Sequence, residues 1–120
     1  MHEFEIVFYA KENGEEPAKE FILSQPPKMR AKLLRLLEMM RRNGNELGEP
    51  YTKLLGDGIF GIRAKQATDI TRVLYFFEVG SKIVLTNGFV KKTQRIPIRE
   101  INKAKKYRAD YERRRDHDKL

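Results

Sequence analysis

Apolar residues at alternate positions, Phe4, Ile6 and Phe8, open the chain and predict a strand over residues 4–9, broken at Asn13-Gly14. The period then becomes helical. Ala18, Phe21 and Ile22 stand at i, i+3 and i+4 within residues 15–23, and Pro26-Pro27 ends that segment while suiting the first turn of another helix. From Lys28 the stripe Met29, Leu33, Leu36, Leu37 and Met40 faces one way, with Arg30, Lys32, Arg35, Glu38 and Arg42 facing out. Asn43-Gly44-Asn45 supplies the stop. Residues 46–58 read as a loop rich in turn formers. Strands follow at residues 59–64, 70–79 and 82–90, the last two joined by Gly80-Ser81 as a two-residue hairpin of the Gly-first type. From Pro97 a last helix puts Ile98, Ile101, Ala104 and Tyr111 on roughly one face, and residues 113–120 read as a frayed, solvated tail. The order β-α-α-β-β-β-α predicts one α+β domain over residues 1–120. In it an antiparallel sheet of about four strands packs against the N-terminal helices, followed by a basic C-terminal helix.

Charge sharpens this picture. The net charge is +8, and residues 91–120 hold 12 of the 25 Lys+Arg against 5 of the 17 Asp+Glu, so nearly the whole excess lies in the last quarter. A field so concentrated attracts polyanions such as RNA or DNA, or an acidic protein. Cysteine is absent, which excludes a disulfide framework and thiolate metal sites. Met1-His2-Glu3-Phe4-Glu5 carries acids where an export signal carries Lys or Arg, and no apolar run reaches membrane length, so the expected location is the cytoplasm, with no membrane partner.

Chemistry narrows by elimination. His2 and His117 lie at opposite ends, which disfavours a Ser-His dyad or a His-rich metal site. Gly56-Asp57-Gly58 lacks the continuation of a phosphate loop, and Asp69 and Glu78 stand too far apart for a paired-carboxylate site. No cofactor is expected. What remains is cationic. Arg63 and Arg72 lie on neighbouring predicted strands, and Lys91-Lys92 leave the next one after Gly88-Phe89-Val90. Arg72 is either paired with a carboxylate such as Asp57 or Asp69, or presented to a ligand. Several cations on adjacent strands repel one another unless an anion binds between them, which favours a phosphate site.

The segments Tyr51-Thr52-Lys53-Leu54-Leu55, Ile62-Arg63, Thr71-Arg72-Val73-Leu74-Tyr75 and Gly88-Phe89-Val90-Lys91-Lys92-Thr93-Gln94, followed by Pro97 and Ala104, resemble the RelE/ParE toxin superfamily. Within it they are most similar to the phage-derived, HigB-type branch. The resemblance runs from the first strand to the last helix. It implies the toxin of a type II toxin–antitoxin system, a metal-independent mRNA endonuclease acting in the ribosomal A site against a background of ribosomal RNA. It also implies neutralisation by a HigA-like helix-turn-helix antitoxin. By the same resemblance Arg72 holds the scissile phosphate and Arg63 supports it. Of Lys91 and Lys92, one neutralises the leaving oxygen and the other grips backbone. Lys53 contacts phosphate or transfers a proton, and Tyr51, Gln94 and Arg95 contact RNA, Tyr51 as a stacking platform or else as an aromatic cap on the sheet. Gly61 stands where the branch carries a charge, and a glycine there opens the backbone to close approach by RNA. The antitoxin is expected on the basic helix or on an exposed apolar face near Leu36 and Met40. Two other functions fit a related fold: a ParE-like gyrase-inhibiting toxin, and a non-catalytic RNA-binding protein.

Overall fold

The stripe Met29, Leu33, Leu36, Leu37 and Met40 is buried along its length, as its spacing requires, in a helix that runs Pro27–Asn43. A computed structural model describes residues 3–118, with Asn45 described in its backbone alone. The elements are β1 (Glu5–Phe8), α1 (Pro17–Ser24), α2 (Pro27–Asn43), a single 3-10 turn (Gly44–Leu47), β2 (Thr52–Gly56), β3 (Ile59–Gln66), β4 (Asp69–Glu78), β5 (Lys82–Lys91) and α3 (Ile98–Asp118). The fold is α+β as expected, with a five-stranded sheet in the order β1-β5-β4-β3-β2. One pairing departs from the antiparallel expectation: β1 runs parallel to β5, because α1 and α2 carry the chain across one sheet face before it returns. Ile62, Ala64, Val73, Tyr75, Ile83 and Leu85 pack against α1 and α2 on that face. On the other, Ile59, Leu74, Phe76 and Val84 pack beneath Ala104, Tyr107 and Tyr111 of α3.

Four sequence expectations change. β2 lies within the segment read as loop: Leu54 and Gly56 flank a bulge at Leu55 that breaks the alternation, so the strand has no clean period. Its hairpin partner was signalled by Asp57-Gly58, where both residues take the positive φ of 52° and 78° that this turn demands. At the other hairpin Glu78 pairs with Lys82, so the connection has three residues, and both Gly80 and Ser81 carry positive φ. Ile98 is 73% exposed, and the buried side of α3 begins instead at Glu100.

The expected tail at 113–120 is helical as far as Asp118, and residues 119 and 120 lie outside the described residues, as do Met1 and His2. Arg114 donates to the Ala10 carbonyl and to Asp110, and Arg115 to Glu78, while the Tyr9 and Tyr111 hydroxyls donate to Asp110 and Glu78. Groups just past β1 and at the end of β4 thus hold the helix down. Among the described residues no helix is long and apolar enough to cross a membrane.

Candidate functional site

Strand parity decides which cations meet. Arg63 and Arg72 are direct cross-strand partners, so their side chains share the α3 face of the sheet. Lys53 joins them, because it pairs with Gly61 while Thr52 and Ile62 point to the α2 side. Lys91 arrives by another route. On β5, Leu85 faces α2, and simple alternation would send residues 87, 89 and 91 the same way. Between Leu74 and Tyr75 the register slips, so that Leu74 pairs with Asn87 and Tyr75 with Leu85, leaving Thr86 as an extra residue. The Thr86 hydroxyl bonds the Leu74 carbonyl at 3.1 Å. Beyond that bulge Asn87, Phe89 and Lys91 share the face of Arg72. Helix α3 begins near Asn87 and runs toward Glu78, so Arg63, Arg72 and Lys91 lie beyond its first turn.

The electrostatics match this layout. Burial, then the Arg63 charge, lowers the pKa of Arg72, against a smaller opposing effect of Glu49. Burial, then Arg72, Arg63 and Lys53, lowers that of Lys91. Arg72 is 6% exposed, and its buried Nε has no hydrogen-bond partner among the described residues. Among the described residues none of Lys53, Arg63, Arg72, Lys91 or Lys92 is ion-paired. Asp57, a conceivable partner for Arg72, is instead paired with Lys105, and its carbonyl accepts from Arg108. Leaving a buried donor unbonded costs on the order of 1–3 kcal/mol. The arrangement is one that a bound oxyanion relieves.

Other expected residues stand apart. Lys92, Gln94 and Arg95 are exposed past the end of β5; Lys92 and Gln94 line one groove with Lys91 and Ile70. Tyr51 is 41% exposed at the rim, and its carbonyl accepts from the Arg63 amide at 2.8 Å. Gly61 is buried, and a Cβ there would meet Leu55 Cδ1 at 3.2 Å, Leu74 Cδ2 at 3.4 Å and the Arg72 stem at 3.8 Å. Its small size therefore makes room for neighbouring side chains, not for RNA. Leu36 and Met40 are 4% and 0% exposed, so the apolar face expected there for an antitoxin is interior. Much of the α3 charge is likewise occupied within the fold, through Lys105, Arg108, Arg113, Arg114 and Arg115. Three polar residues of this region escaped the sequence reading: Glu49, Asn87 and Glu100. A signal for Asn87 was available, since Thr86-Asn87 interrupts the apolar run Ile83-Val84-Leu85.

A basic α+β sheet protein carrying, beyond the start of its C-terminal helix, a cluster of cations unpaired among the described residues is the class these features define. The chain belongs to the family described as phage derived protein Gp49-like (DUF891), whose model matches residues 20–109. That family falls in the RelE/HigB-like toxin superfamily. No curated protein matches the chain.

Proposed function

We propose that this protein is the toxin of a toxin–antitoxin pair, of the HigB type, and that it cleaves mRNA on translating ribosomes. The observation that carries the reading is Arg72: a buried guanidinium with an unbonded Nε, on one sheet face with Arg63, Lys91 and Lys53 and ion-paired to no acid among the described residues. In the proposed reaction the substrate's own 2′-hydroxyl oxygen attacks the adjacent phosphorus as its proton is removed. The bond to the 5′-oxygen breaks, and that oxygen leaves with a proton, giving a 2′,3′-cyclic phosphate and a free 5′-hydroxyl. Such a step needs positioning and stabilisation of the extra charge on the phosphorane. Arg72 holds the non-bridging oxygens and Arg63 supports them. Lys91 neutralises the leaving oxygen, and Lys53 contacts phosphate or moves the proton. Lys92, Gln94, Arg95 and Tyr51 grip the flanking RNA. A helix-turn-helix antitoxin of the HigA type is the proposed partner.

Primer extension on mRNA carried by translating ribosomes tests this. Wild-type protein is expected to produce discrete stops, and Arg72→Ala to weaken them by about 10²–10³-fold, the usual effect of removing a preorganised donor. Intact mRNA with wild-type protein, alongside a DNA-damage response in cells, would point to gyrase inhibition instead.

A further inference from the structure

Among the described residues two buried side-chain polar atoms lack a hydrogen-bond partner, Arg72 Nε and Asn87 Oδ1. They stand close together. Arg72 pairs with Phe89 across β4 and β5, and Asn87 lies two residues before Phe89 on the same face, which makes it the diagonal neighbour of Arg72. Asn87 is 3% exposed, and its amide is held one way round. Its Nδ2 donates to Glu100 Oε1 at 3.1 Å and to the Glu100 carbonyl at 3.3 Å. Both of those oxygens accept from the amide, so the nitrogen must face them and Oδ1 is left to find a donor elsewhere. Glu100 is fixed in turn: it is 6% exposed, in the first turn of α3, with Arg99 and Lys103 each 3.7 Å from its carboxylate.

One free donor and one free acceptor on adjacent positions ask for a ligand that offers an acceptor beside a hydroxyl. A ribonucleotide does so, with phosphate oxygens next to a 2′-hydroxyl, whereas a deoxyribonucleotide offers only the phosphate. We infer that Asn87 Oδ1 accepts a hydrogen bond from the 2′-hydroxyl of the nucleotide whose phosphate lies on Arg72, so that this asparagine makes the site select RNA over DNA. Glu100 is then a positioning residue, acting through the Asn87 amide. The inference rests on the reading of the cation cluster as an RNA site.

Fluorescence anisotropy at one fixed salt concentration, with a short RNA and a DNA of the same sequence as probes, tests it on the full chain. Wild-type protein is expected to prefer RNA by roughly three- to tenfold, the worth of one hydrogen bond. Asn87→Ala should bring RNA affinity down to the DNA level and leave DNA affinity unchanged, whereas a merely structural role would weaken both alike. Should Asn87→Ala fail to fold, single 2′-deoxy substitutions along the RNA, read with wild-type protein, carry the test: one position alone should cost that factor. Equal affinity for both probes, absence of binding, a preference that survives Asn87→Ala, or 2′-deoxy costs spread evenly along the strand would each overturn the inference. Ribosomal cleavage by wild-type protein together with a preference that survives Asn87→Ala removes this inference alone. RNA preference lost in Asn87→Ala without any cleavage on ribosomes removes the nuclease reading and leaves RNA selection standing.

Discussion

Lys91 shows how neighbours reset the titration of a side chain of ordinary type. Its pKa is lowered by burial and by Arg72, Arg63 and Lys53, so between that lowered value and the ordinary lysine value the folded chain binds fewer protons than the unfolded one. Stability therefore rises with pH across that window, and the cost of the charged form is fully present below it. Two outcomes are expected. Lys91→Met, which keeps the apolar stem and removes the charge, should raise the melting temperature of the free protein near neutral pH while weakening its affinity for RNA. Calorimetry and anisotropy check the two halves. In wild-type protein RNA affinity should fall as pH rises through the lowered pKa of Lys91, and Lys91→Arg should flatten that fall, because a guanidinium stays charged.

Strands and helices impose constraints no single residue reveals. The Thr86 bulge turns the last half of β5 over, which sends Lys91 to Arg72 and Gly88 toward α1. A Cβ on Gly88 would stand 2.4 Å from Cδ2 of Phe21, so the glycine is what lets α1 lie against β5. Gly88→Ala is expected to destabilise the fold by about 1–3 kcal/mol through overpacking. Phe21→Leu in the same chain should recover part of that loss. A double-mutant cycle by urea unfolding measures the coupling, and strictly additive effects would contradict this contact. The α2 stripe, the helix stop at Gly44 and the strand carrying Arg72 were legible because each shows its period over a full segment. β2 was not, since five residues interrupted by a bulge carry no period to read.

At the scale of the whole molecule, α3 is fastened to the sheet by two acids. The hydrogen bond from Tyr9, with Arg114 and Arg113, lowers the pKa of Asp110. At Glu78 burial works the other way, but the bonds from Tyr111 and Arg115 and the Lys82 charge outweigh it. A lowered carboxyl pKa contributes stability that is present above the ordinary carboxylate range and lost as pH falls through the lowered value. Thermal melts from about pH 6 down to about pH 3 should therefore show a loss that Asp110→Asn makes shallower. The same change should cost about 1 kcal/mol or less near neutrality, as expected of a partly exposed pair. If the variant melts as steeply with acid as the wild type, Asp110 is not a fastening. Because these contacts occupy Arg113, Arg114 and Arg115, and Asp57 holds Lys105 and Arg108, the surplus charge visible in composition overstates what the helix has free for a polyanion.

From the order of residues alone came the type of every element but β2, the apolar stripes that face the core, and the identity of the cations, since these depend on spacing within one segment. Which of those cations share a face, and which stay unpaired, was decided by strand register. A one-residue slip reverses every side chain beyond it, and sequence leaves no periodic trace of a single extra residue. Tertiary packing alone also decided that Asn87 turns its amide nitrogen to Glu100 and keeps a bare oxygen beside Arg72, because that choice depends on a helix thirteen residues further along the chain.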